Sequence, residues 1–264
     1  MKRVSFFMLL TEQKRVSLQN LYLGLKFSFS YFSILPISFK TSDDLSHKVV
    51  LASMLFFLPL VGLVLGFGTI MLFSFLEDLK WFAALISAII YMVLYGFLHT
   101  EAVCDVADAI YASHSGKDAY KIIKEPTIGA MGVLFSTSII LLKVAGIIYL
   151  FLHNYLMEFI AILIISRLSL LLLFKVHEFR SSFATTLKSS LTQSYLISSF
   201  ILFSIIGVML ISNFMTFLLI GLILALLISY VIKSKIGFVN GDVLGATLEG
   251  VETILFILIL LLNN

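Results

Sequence analysis

The stretch MGVLFSTSIILLKVAGIIYLFLHNYLMEFIAILIISRLSLLLLF, residues 131–174, decides the fold. It holds two apolar runs, 131–152 and 155–174, parted by His153 and Asn154. Each run is near the roughly 20 residues that carry a helix across the hydrocarbon of a bilayer. Similar runs predict spans near 51–76, 81–98, 194–213 and 214–232, and a last helix that starts near Asp242 and runs through FILILLL. No ten-residue alternation of a barrel is present, and in lipid a helix is the remaining backbone that satisfies its own polar groups. The expected fold class is an all-α, polytopic membrane bundle of about seven spanning helices, one domain over residues 1–264.

Composition agrees. The chain is 60% hydrophobic and 12% charged, with a mean hydropathy of +1.10. Soluble domains average about 25% charged residues. The net charge of +3 is small, and no basic run with interleaved aromatics suggests nucleic acid as a partner. Cys104 is the single cysteine, which excludes an internal disulfide and a thiolate metal site. The start, MKRVSFFMLLTEQKRVS (1–17), resembles a signal peptide. Its apolar core, Phe6 to Leu10, is short and lacks a small-residue cleavage site, so we expect a retained surface segment. Residues 18–39 are interrupted by Lys26 and broken by Pro36, which predicts an interfacial or partly inserted helix within an N-terminal segment 1–48.

If every span crosses, connections 37–50, 99–130, 175–193 and 233–241 share one side and hold most of the loop Lys and Arg residues. The opposite connections, near 77–80, 153–154 and 213, hold only Lys80. The positive-inside rule makes the basic side cytoplasmic. Both strong polar motifs, 99–132 and 237–252, then face one compartment.

The first motif is HTEAVCDVAD (99–108), continuing to KEPTIGAMG (124–132). Glu101, Asp105 and Asp108 fall at i, i+4 and i+7, neighbours on one helix face about 5–6 Å apart. A lone acid here would read as a solvated helix face. Three together at a span end suit a hard divalent cation, Mg²⁺ or Mn²⁺, with oxygen ligands. His99 either joins such a network or caps the span end.

The second motif is GFVNGDVLGATLEGVE (237–252). Its glycines, Gly241 and Gly245 among them, permit close approach by a phosphate or a neighbouring helix. Asp242, Glu249 and Glu252 lie within roughly an 80° sector of a helix. Asp242 also suits a plain helix N-cap. Glu249 and Glu252 precede an apolar tail, which places them near the membrane boundary. Arg167 and Lys143 sit mid-span, where each needs an acid partner or an anionic ligand. Acids for a metal, bases for phosphate and glycines for close approach point to phosphoryl transfer at a membrane surface.

In this order the motifs resemble the cobalamin synthase family, the membrane adenosylcobinamide-GDP ribazoletransferases. The matching pieces are SYFSILP (30–36), PLVGLVLG (59–66), HTEAVCDVAD, KEPTIGAMG and GFVNGDVLGATLEGVE. Asp105, Asp108, Gly129, Gly132, Gly241, Asp242, Leu244, Gly245 and Ala246 stand where the family pattern has them. Glu101 and Ala102 replace its Asp-Gly, Glu125 an Asp, Pro126 and Thr127 a Ser-Arg, and Asn240 a Thr; Ile34 stands where an Arg is common. The missing Arg at 127 would have to be replaced as a phosphate contact by Lys121, Lys124 or Arg167.

The resemblance implies that adenosylcobinamide-GDP and α-ribazole, or its 5′-phosphate, give adenosylcobalamin, or its 5′-phosphate, with release of GMP. It implies Mg²⁺ held by Glu101, Asp105, Asp108 and Asp242, with Asp105, Asp108 and Asp242 catalytic. Substrate and phosphate contacts then fall to His99, Lys121, Lys124, Gly129, Arg167, Gly241 and Gly245. It also implies a bacterial cytoplasmic membrane as the location and other corrinoid-assembly enzymes as partners. Two competing readings are a CDP-alcohol phosphotransferase, whose D-G-x-x-A-R pattern is absent here, and a cation-coupled transporter, which would place its acids near mid-bilayer.

Overall fold

A mid-span arginine cannot face lipid, and the segment Leu156–Val176 carries Arg167 in an otherwise apolar run. In the computed structural model, which describes residues 18–262, 83% of its apolar window is buried, against 17% for Gln193–Leu210. The first is therefore the central post of the bundle and the second a lipid-facing stave.

In chain order the helices are α1 (18–32), α2 (Lys48–Phe56), α3 (Leu58–Phe75), α4 (Trp81–Leu94), α5 (Leu98–His114) and α6 (Ala119–Ile122). They continue with α7 (Ala130–Leu152), α8 (Leu156–Val176), α9 (Ser182–Ser190), α10 (Gln193–Leu210), α11 (Phe214–Ile236) and α12 (Gly241–Leu262). A single 3-10 turn, Glu77–Leu79, joins α3 to α4. No strand occurs among the described residues. Six of these helices are long and apolar enough to cross a membrane, or seven if α4 and α5 are taken as one broken span. The chain is thus a multi-pass helical membrane protein. The expected surface segment 1–17 lies outside the described residues.

Three expectations change in detail. The run expected as one span over 51–76 is divided at Phe57. Pro59 sits in the first turn of α3 and cannot donate a backbone bond to α2. The span expected over 81–98 ends at Leu94. Gly96 and Phe97 take positive φ values of 66° and 53°, and α5 leaves α4 at 78°. The connection expected over 99–130 is half helix, because α5 packs against α12 and α7. Of the ambiguous stretch 18–39, only 18–32 is helical, and it packs on α2: a Cβ at Gly24 would lie 2.3 Å from that of Ser53.

Four charges are buried inside this bundle. Lys143 on α7 lies 2.7 Å from Glu249 and 2.7 Å from Glu252, both on α12. Arg167 on α8 pairs with Glu252 as well. Tyr95 donates to Glu249 at 2.8 Å, and Tyr91 and Ser166 donate to Glu252 at 3.1 and 2.9 Å. Two acids thus balance two bases, and hydroxyls occupy further lone pairs. Glu249 and Glu252 are 1% and 0% exposed, enclosed by the bundle and committed to its own bases. Their positions at i and i+3 turn both toward Lys143.

Removing one member leaves a buried charge without its counterpart, a loss of about 3–5 kcal/mol. Arg167→Met and Glu252→Gln should each lower the thermal midpoint of the detergent-solubilised protein sharply. The double variant Arg167→Met/Glu252→Gln should lose less than the sum of these two single replacements, since Lys143 and Glu249 still pair. Strict additivity in that cycle would show that the pair is not energetically coupled.

Candidate active site

Small residues set how closely α5 and α12 approach. A Cβ at Gly245 would stand 2.7 Å from the Cβ of Ala102, so glycine is what allows the contact. With that register fixed, Asp105 lies one turn beyond Ala102, toward the start of α12 where Asp242 stands.

Asp242 is not the N-cap of α12. Asn240 caps it, its side-chain oxygen accepting from the Val243 amide at 3.1 Å. The Asn240 side-chain amide then donates to Asp242 at 2.6 Å and fixes its carboxylate. Asn ranks with the best cap residues, so the departure from the family's Thr costs the helix nothing.

Asp108 caps a different helix. Its two carboxylate oxygens accept from the Gly129 and Gly132 amides at 2.6 and 2.7 Å, closing the N-terminus of α7. Side chains at these two glycines would drive into that carboxylate, since their Cβ atoms would lie 2.4 and 2.5 Å from its oxygens. A carboxylate at a helix start also complements the helix dipole.

Asp105 is half-buried on α5, which is not one of the six long apolar helices. Burial pushes its carboxyl up to about 6, with further push from Asp242, Glu101 and Asp108. Among the described residues none of these four acids forms an ion pair. Nor do any three His, Cys, Asp or Glu side chains close up into a ready metal cage among them. The oxygen-only donors and uncompensated charge nevertheless fit a hard cation that keeps part of its water shell.

Two cavities meet at Asp242. One, of about 240 Å³, is mainly apolar and lies between the end of α1, the start of α5, α8 and α9. His99 lines it, its ring stacked between Phe32 and Tyr95 at centroid distances of 6.2 and 5.6 Å. The other, of about 420 Å³, is lined by Lys124, Arg180, Ser181 and Ser182. Gly241, Asp242 and Ser181 border both.

The expected site residues therefore separate. Glu101, Asp105, Asp108 and Asp242 gather with Gly129, Gly241 and Gly245, and His99 and Lys124 line the cavities. Lys121 is exposed on α6 and lines neither cavity described here. Arg167 is 2% exposed and held by Glu252, Tyr91 and Ser166, so it is not available to a substrate phosphate.

Arg180, which the sequence showed only as one more loop cation, lines the second cavity. The Arg180 guanidinium sits 3.9 Å from the Tyr120 ring centroid and 5.5 Å from that of Phe238. Its backbone amide donates to Val239 at 2.9 Å. Arg180 and Lys124 form no ion pair among the described residues, so both charges face the cavity uncompensated. The aromatic in Tyr120 and the Phe238 beside the Gly-rich turn were the available signal.

The family described as cobalamin-5-phosphate synthase matches residues 24–261. An adenosylcobinamide-GDP ribazoletransferase of Chlorobium chlorochromatii is 30% identical over 244 residues, which cover 89% of this chain and 94% of its own. One of Brevibacillus brevis is 27% identical, with 88% and 95% covered, and one of Acinetobacter baumannii 29%, with 86% and 93%. No solved structure matches the chain.

The two neighbouring aspartates should respond oppositely to neutralisation. Because the folded pKa of Asp105 is raised, its charge opposes folding fully above about pH 6 and not at all below its ordinary value of 3.8. At pH 7 without divalent cation, Asp105→Asn should raise stability by about 1 kcal/mol, a figure reduced for solvent screening. Asp108→Ala, which uncaps α7, should lower it by about 1 kcal/mol. Thermal melts of both variants in EDTA check the signs.

Proposed function

The chain belongs to the cobalamin-5-phosphate synthase family, and on that footing we propose that the acid cluster and the two cavities at Asp242 join adenosylcobinamide-GDP to α-ribazole. A ribose hydroxyl attacks the phosphorus that carries the cobinamide arm. The bond from that phosphorus to the bridging oxygen breaks, GMP leaves with that oxygen, and the hydroxyl proton passes to a carboxylate. The product is adenosylcobalamin, or its 5′-phosphate when α-ribazole 5′-phosphate is the acceptor. The observation that carries this reading is the position of Asp242, on the wall between a cationic cavity and an apolar one and opposite Asp105.

Each part of the chain has a task. Lys124 and Arg180 bind the diphosphate, and stacking on Tyr120 holds the guanidinium plane for a two-pronged contact with phosphate. Asp242, fixed by Asn240, borders both cavities and is placed to take the hydroxyl proton. Glu101, Asp105 and Asp242 would hold Mg²⁺. Asp108, committed to the start of α7, positions that helix and the Gly129 turn beside them. The metal would neutralise the diphosphate and stabilise the leaving oxygen. The chemistry then runs at the surface of a bilayer, and the Lys/Arg-rich connections support the cytoplasmic side of a bacterial inner membrane.

With adenosylcobinamide-GDP, α-ribazole and Mg²⁺, the purified protein should release GMP and form a cobalamin. Asp105→Asn and Asp242→Asn should each slow GMP release by orders of magnitude, each ~1.4 kcal/mol of lost transition-state stabilisation being tenfold. Glu101→Asp should be mild, and Arg180→Ala should raise the KM for adenosylcobinamide-GDP. Near-normal turnover in both Asn variants would remove the acid cluster from the chemistry. Uptake of a solute into proteoliposomes without GMP release would favour the transporter.

Sidedness has its own test. Cysteines at the exposed positions Ser115 and Ser234 in a Cys104→Ser background should resist an impermeant thiol reagent added outside intact cells. Labelling of only one of them would break the one-face arrangement.

A further inference from the structure

The apolar cavity beside Asp242 has a shape and chemistry that the diphosphate does not use. At about 240 Å³ it is smaller than the roughly 300–1,000 Å³ of pockets that enclose whole drug-sized ligands. It has room for a fragment such as a two-ring base and none for a corrin. Apart from the His99 ring, its inner wall is carbon: Leu170 and Phe174 of α8, Leu187 of α9 and Leu244 of α12. At its mouth the Tyr31 and Phe183 rings lie 5.5 Å apart, tilted by 37°. Both remain partly exposed, at 42% and 37%. The polar side of the mouth is Ser181, Gly241 and Asp242, the border with the cationic cavity.

We propose that this cavity is the subsite for the aromatic base of the incoming ribonucleoside, with Tyr31 and Phe183 flanking it and the ribose lying at Asp242. The inference rests on the transferase reading above. A guanine base would bury its amide edge against Leu170, Phe174 and Leu187, where His99 is the one inner polar side chain, and each group that His99 does not meet costs roughly 1–3 kcal/mol. The carbocyclic edge of a dimethylated benzimidazole has no polar atom to leave unpaired. With the base inside, the attached ribose emerges on the Asp242 side, and its hydroxyl faces the phosphorus held by Lys124 and Arg180. The diphosphate and the nucleoside then reach Asp242 from opposite cavities.

The test varies one substrate at a time with the full-length protein in detergent or proteoliposomes. Phe183→Ala removes one flanking ring at a partly exposed position. Ala184→Leu narrows the cavity from a buried position on α9. Phe183→Ala should raise the KM for α-ribazole roughly tenfold, the scale of one lost base–aromatic contact. The KM for adenosylcobinamide-GDP should stay within about twofold, and Phe183→Tyr should restore the wild-type value. Ala184→Leu should raise the α-ribazole KM more than that of an analogue lacking the two methyl groups. A rise in the KM for adenosylcobinamide-GDP with that for α-ribazole unchanged would overturn the proposal and give the cavity to guanine. No change in either constant in either variant would overturn it too. Absence of GMP release by the wild-type protein would instead sink the transferase reading.

Discussion

Glu252 holds Lys143, Arg167, Tyr91 and Ser166 around one carboxylate, and the four helices that carry these groups, α4, α7, α8 and α12, can bring them together in only one register. Inside a bilayer a residue cannot shed an unmatched charge into water, and hydrophobic packing alone distinguishes poorly between helices whose surroundings are equally apolar. A balanced set of charges does distinguish between them. Sliding α12 by one turn against α7 would put a single acid where two now stand and part Glu252 from Arg167, so the charges would no longer balance. The pairing therefore sets the depth of α12, and with it the height of Gly245, Asp242 and Asn240.

From that register the candidate site follows. Gly245 lets α5 close on α12, which brings Asp105 toward Asp242, and Asp108 reaches across to the start of α7. The start of α12 and the start of α7 thus open at the same end of the bundle. The carboxylates there have no basic partner, whereas those deeper in the bundle have two. Two acid clusters that share α12 have opposite characters: one neutralised and closed, one charged and open.

Much of this was legible in the residues. Long apolar runs announced the spans, and acids recurring at i, i+4 and i+7 announced the α5 face. What was not legible was which charge answers which. Arg167 and Lys143 were recognisable as needing partners, but Glu249 and Glu252 share a helix face with Asp242, and spacing alone could not divide the three. Depth divides them, and depth is a property of packing. Likewise Asp242 suited a plain helix cap, and the Val243 amide turns instead to Asn240, two positions earlier. Arg180 was hidden for the same reason: its value comes from Tyr120, sixty positions earlier, and Phe238, in another connection.

The order of the buried charges along the chain has a consequence for how the protein is made. Both cations, on α7 and α8, are synthesised before either acid, because Glu249 and Glu252 belong to α12. Helices generally emerge and settle from the N-terminus onward. Until the last helix arrives, Lys143 and Arg167 sit in nascent spans with no counter-charge, at a cost that apolar neighbours cannot offset. Arrival of α12 is then the step that locks the bundle. A chain that stops short of residue 249 has two basic helices and neither of the acids that neutralise them.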